Sequence, residues 1–139
     1  MNKNRIPTIK VESDDFTMDF AGEEYTPHTE EYVRFVPYLS TSDTLKMLDA
    51  IEGFDDEEAE TRDVLRVISD EIIPVLLKVI DCWTWTHVVT GAPLGVEDGS
   101  IWRPTLSALN DLSPSEQSYL IAAYFEARSG DDEEDQDPQ

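Results

Sequence analysis

Cysteine is nearly absent, with Cys82 the only one in 139 residues. A single thiol excludes an internal disulfide and any multi-thiolate metal site within one chain. It sits beside Asp81 at the end of an apolar stretch. A neighbouring carboxylate and burial both favour the protonated thiol, so Cys82 reads as an inert core residue rather than a nucleophile. Basic residues are scarce as well: 10 Lys and Arg face 31 Asp and Glu, for a net charge of −21. Six of the acids fall in residues 131–139, and without them the charge is still −15, so the body of the chain is acidic in its own right. Such a field repels nucleic acid and anionic membrane, and it favours basic partners or plain solubility. Adaptation to high salt is a further reading, because only four of the ten basic residues are Lys.

Long hydrophobic runs are also missing. The opening MNKNRIPTIK has basic residues but none of the apolar core of a signal peptide. The longest apolar run is broken by Pro74 and Lys78 and is too short to span a bilayer. The expectation is a soluble protein that stays in the cytoplasm where it is made. No Gly-rich phosphate loop, nucleophile elbow or His-Glu-x-x-His occurs. His28 and His87 have no Cys, His or Asp companions at ligand spacing, which leaves each a solvent-exposed or hydrogen-bonded role. Asp55-Asp56-Glu57-Glu58 lacks the alternating spacing and glycine of a calcium loop. Those acids suit the positive end of a helix dipole instead. The sequence thus reads as non-enzymatic, without cofactor or metal.

What the chain does have is one strongly apolar stretch, residues 57–85. Val64, Leu65, Val67 and Ile68 are followed by Ile72, Ile73, Val75, Leu76, Leu77, Val79 and Ile80. Spacing at i, i+3, i+4 and i+7 predicts a helix, and apolarity on every side predicts its burial at the centre, with Leu76 and Ile80 on the most buried face. Pro74 cannot donate a backbone hydrogen bond, so the helix either kinks there or restarts near Asp70 with Pro74 in its first turn. Ahead of it, Phe16, Met18 and Phe20 alternate with polar residues and predict one apolar strand face. Ala21-Gly22-Glu23-Glu24 supplies a turn and Tyr25 starts a returning strand, giving a hairpin or three-strand sheet with the Ile9–Val11 region. Residues 30–39 suit strand or short helix equally. Ser40-Thr41-Ser42-Asp43 caps an amphipathic helix that Gly53 stops.

Beyond Trp85, residues 86–95 predict a loop or short hairpin, and Glu97-Asp98-Gly99-Ser100 a second turn. Pro104 is placed to open a short helix carrying Leu106, Leu109 and Leu112. Ser113-Pro114-Ser115-Glu116 is a capping box with proline at the first helical position, and it opens a last helix that Gly130 ends. Residues 131–139 are disordered by composition. The prediction is therefore a single α+β domain over residues 1–130, mainly helical, with a small N-terminal hairpin or sheet packed on a bundle of about four helices. The aromatics Trp83, Trp85, Trp102, Tyr119 and Tyr124 are the candidates for partner binding, to the extent that they remain exposed.

Several ordered features resemble the tail assembly chaperones of tailed phages. Asp81-Cys82-Trp83-Thr84-Trp85-Thr86 and then Thr90-Gly91-Ala92-Pro93-Leu94 follow the apolar helix. They precede Leu109-Asn110-Asp111-Leu112-Ser113-Pro114-Ser115-Glu116. That order is similar to the family's apolar helix, Trp-bearing stretch, Gly-x-Pro-Leu loop and capped final helix. Residues 16–25 resemble its N-terminal strand pair with a Gly-Glu-x-Tyr turn. Thr86-His87-Val88-Val89-Thr90 stands where an acidic turn is more usual there. The resemblance implies a non-enzymatic protein of the host cytoplasm, with self-association left open. Its partners would be the helical tape measure protein and the tail tube subunits that polymerise around it. Two other classes remain: an acidic inhibitor imitating DNA before a basic DNA-binding protein, and a structural head–tail or tail-terminator component.

Overall fold

The computed structural model describes residues 7–54 and 61–129. The Asp55–Glu58 acids and the 131–139 tail lie outside the described residues. Among the described residues seven strands and four helical units follow in order: β1 (Ile9–Glu12), β2 (Met18–Phe20), β3 (Glu23–Tyr25), β4 (Tyr32–Phe35), α1 (Thr41–Phe54), α2 (Thr61–Val67) running through a π-helical turn (Ile68–Ile72) into α3 (Ile73–Val79), β5 (Ile80–Trp83), β6 (Val96–Asp98), β7 (Ile101–Arg103), α4 (Leu106–Asn110) and α5 (Pro114–Ser129). The α+β class and the number of helical units agree with the sequence reading. The balance does not. The centrepiece is a five-stranded sheet in the order β1-β4-β5-β7-β6, antiparallel throughout, and β2–β3 is a separate hairpin. Its strands come from both halves of the chain, rather than from an N-terminal appendage to a bundle.

The difference originates at Val79, where the apolar helix ends. Ile80 turns to extended backbone while its N–H still bonds to the Leu76 carbonyl. Residues 80–83, predicted to be helical, instead form the middle strand β5. It pairs with β4 on one side and β7 on the other. A register shift between Arg34 and Phe35 lets Ile80 and Trp83 both face the core. Of the two alternatives, Pro74 follows the second in placing itself in the first turn of a helical segment, though that segment starts at Ile73 rather than near Asp70. Pro74 stands just past the π-helical turn, where the Ile73 N–H reaches back five residues to the Ile68 carbonyl. The wider turn accommodates the missing donor, and the run stays continuous.

Local signals held elsewhere, with small displacements. Ser40 caps α1, its Oγ accepting from the Asp43 N–H at 3.1 Å, but the helix runs past Gly53 to Phe54. Residues 32–35 resolve as strand. Pro104 falls two residues before α4 rather than on its first position, and Thr105 caps the helix by accepting from the Ala108 N–H. Glu97 and Asp98 belong to β6, so the turn before β7 is Gly99-Ser100. The β2–β3 hairpin closes on Ala21 and Gly22, both at positive φ, as the two-residue turn matching strand twist requires. Phe16, predicted on the β2 face, precedes that strand in a turn and packs on Tyr119 and Trp85. Phe20 is left 43% exposed.

The helices cover one face of the sheet. Val33, Phe35, Ile80 and Trp83 meet Ile73, Leu76, Leu120 and Tyr124 in one buried cluster. The other face carries Lys10, Tyr32, Arg34 and Arg103, with Cys82 buried among them. Burial and then Asp81 push the Cys82 thiol up, which keeps it protonated and unreactive at neutral pH.

Candidate functional site

Of the five aromatics singled out from the sequence, three are fully buried. Trp83, Trp85 and Tyr124 are each at most 1% exposed. The indole N–H of Trp83 donates to the Leu94 carbonyl and that of Trp85 to Ser13 Oγ, both at 2.9 Å. The two indoles stack 5.6 Å apart at 8°. These side chains hold the core together and offer a partner nothing. Trp102 and Tyr119 remain, both half-buried. The Tyr119 hydroxyl donates to Asp15 at 3.0 Å, and burial together with Asp15 pushes it up to about 12.

Behind Trp85 lies a buried polar cluster of which only the Ser113–Glu116 cap is legible in the sequence. His28 is completely buried and stacks on the Trp85 indole at 3.8 Å and 9°. Its Nδ1 is 2.6 Å from Glu31 Oε1 and its Nε2 is 2.7 Å from Glu116 Oε2. Each ring nitrogen thus lies within hydrogen-bond distance of a carboxylate oxygen. Glu31 also accepts from the Thr86 N–H and hydroxyl. Glu116 closes the predicted capping box, accepting from the Ser113 N–H and hydroxyl while its own N–H donates to Ser113 Oγ. Three distant segments, at residues 28–31, 86 and 113–116, are thereby pinned to one ring. Burial raises the Glu116 carboxyl, but hydrogen bonds from His28 and Ser113 outweigh it and hold the group below the usual carboxylate range.

That pinning shapes the surface above it. The β2–β3 hairpin and the loop at residues 86–94 stand opposite each other across two adjacent hollows that share Phe20, Val88 and Val89 in their walls. The larger, of about 550 Å³, is completed by Tyr25, Thr26 and Pro27. The smaller, of about 230 Å³, reaches Met18, His87, Asp111, Leu112 and the Glu116 end of α5. Exposed apolar groups crowd this groove: Val89 is 84% exposed and Tyr25 46%. The loop that presents Val89 is firmly built. Thr86 bridges to Pro93, the His87 N–H bonds to the Ala92 carbonyl, and His87 Nδ1 accepts from the Val89 and Thr90 N–H groups. An exposed valine on a hydrogen-bonded loop facing exposed aromatics on a tight hairpin is a surface organised for contact. The available signal was Val88-Val89, an apolar pair inside a turn-rich stretch that has no strand to belong to.

The charge around the groove is one-sided. Residues 11–33, 79–102 and 104–127 contain no Lys or Arg, and they supply every wall residue. Among the described residues no three His, Cys, Asp or Glu side chains are placed to hold a metal ion. No helix among them is long and apolar enough to cross a membrane. Compared with known protein families, curated proteins and solved structures, the chain matches none. Fold and surface together define an α+β domain with a walled apolar groove in an acidic setting.

Proposed function

We propose that this protein is a non-enzymatic assembly chaperone of the tailed-phage type, acting in the host cytoplasm. It would hold apolar segments of the tape measure protein until tail tube subunits polymerise around them. One observation carries this reading. Two of the four stretches that resemble the family line the groove: residues 16–25 through Met18, Phe20 and Tyr25, and residues 109–116 through Asp111, Leu112, Ser113 and Glu116. They meet at one largely apolar, exposed surface, whose facing wall, Val88 and Val89, comes from the stretch where the chain departs from the family. Such a surface suits transient cover of a client's apolar face, and the acidity of the chain keeps the complex soluble. A DNA-imitating inhibitor needs carboxylates spaced like phosphates over an open face, whereas the open face of this sheet carries Lys10, Arg34 and Arg103.

The test is co-expression with the tape measure protein and tail tube subunit of the same phage. The expected result is soluble tape measure protein recovered in complex with this chain. Equal aggregation with and without it overturns the proposal.

A further inference from the structure

Resting on that reading, we infer that the groove takes a basic amphipathic helix: a client segment with an apolar stripe for the two hollows and Lys or Arg along its flank. The first argument is the charge segregation. The hairpin bears the exposed Glu23 on the same face as Phe20, with Asp19 and Glu24 exposed on its reverse, and the opposite end of the smaller hollow bears Asp111. No Lys or Arg occurs in any of the three chain stretches that build the walls. A client with acidic flanks would meet like charge at both ends, and one with basic flanks meets opposite charge at both.

The second argument is that Asp111 is uncommitted. Its backbone N–H closes the end of α4, but its carboxylate has no hydrogen-bond or ion-pair partner among the described residues. The nearby Glu116 carboxylate, by contrast, is taken up by His28 and Ser113. One acid at the lip is thus free for a ligand while the one beneath it is structural. The third argument concerns how the occupant is gripped. Met18, Phe20 and Tyr25 share one face of the hairpin, because Met18 pairs with Tyr25 and Phe20 lies two residues on. The groove therefore offers side chains rather than a strand edge, and a helix presents a continuous side-chain stripe to such a surface.

The experiment uses the purified full chain and two synthetic helical peptides, read by fluorescence anisotropy. Both carry the same Leu/Ala stripe, one flanked by Lys and the other by Glu. The Lys peptide is expected to bind about tenfold tighter, the shift that a few solvent-exposed charge contacts produce together. Val89→Glu should weaken the Lys peptide by about tenfold or more, since it puts a charge into the apolar contact. Asp111→Asn should narrow the Lys/Glu difference by about threefold. Both positions are exposed, and unchanged melting curves will show that the variants fold. Equal affinity for the two peptides, or a Val89→Glu variant that binds the Lys peptide as well as the parent does, overturns the inference. The two readings fail separately. Recovery of tape measure protein with no peptide preference leaves the chaperone and sinks the basic-helix site. A clear peptide preference without any rescue of the tape measure protein does the reverse.

Discussion

His28 is the residue on which distant parts of the chain depend most directly. Removing the ring leaves two carboxylates facing each other in a buried space, so His28→Ala should destabilise by about 3–5 kcal/mol, read by urea unfolding. Glu116 gives the cluster a pH signature. Its carboxyl is held below the ordinary glutamate value of 4.5, so the unfolded chain takes up this proton first as pH falls. The contribution of Glu116 is therefore fully present above about pH 4.5 and is lost as pH drops through the lower folded-state value. Glu116→Gln should be less stable than the parent at pH 7, and the gap should shrink in acid. A gap that stays constant to pH 3 would mean that the carboxylate contributes nothing through its charge. The cap around this residue was legible because Ser113 and Glu116 are three residues apart. Its partnership with His28 spans 88 residues, and no local pattern announces it.

At the level of elements, the boundary between α3 and β5 shows why an apolar run is an ambiguous signal. Ile80, Cys82 and Trp83 are buried in the strand as they would be in a buried helix, and periodicity cannot separate the two. Only the β-branched and aromatic content of Trp83-Thr84-Trp85-Thr86 favours a strand. Burial was legible only in part: Leu76 has no exposed surface and Ile80 is buried, but Leu65, Val67 and Leu77 of the same apolar run are exposed, so the run is not enclosed on every side. Leu76→Ala should cost about 2–5 kcal/mol, measured as a lower denaturation midpoint. The β6–β7 hairpin makes a sharper prediction at Gly95, which sits at φ +102 directly against the Arg103 backbone. A Cβ there would lie 2.0 Å from the Arg103 carbonyl oxygen, and backbone cannot swing aside as a side chain does. Gly95→Ala should therefore destabilise by more than the roughly 1 kcal/mol of an ordinary glycine replacement, and amide exchange in β7 should quicken. The Gly91 position has positive φ but open space around it, so Gly91→Ala should be the milder of the two.

Across the whole molecule, repulsion among like charges opposes folding at a net charge of −21. The cations that the structure places do local work. Arg103 joins Asp81 and Asp98 on the open sheet face, and Lys78 reaches Asp43 from α3 to α1 at 2.8 Å. These pairs are partly exposed, so salt weakens them only slightly in absolute terms, whereas it screens the summed repulsion over the whole surface. The melting temperature should consequently rise between about 0.01 M and about 1 M NaCl, as the screening length falls from about 30 Å to about 3 Å. Each kcal/mol gained should appear as roughly 3–5 °C in a chain of this size. Binding of the Lys-flanked peptide should move the other way over the same range. It should not collapse, because the apolar stripe supplies most of the contact and salt does not screen it. A complex held by charge alone would lose its affinity steeply instead. Calorimetry and anisotropy on one salt series separate the two effects. A melting temperature that falls with salt would place the local ion pairs, not the net charge, in control of stability.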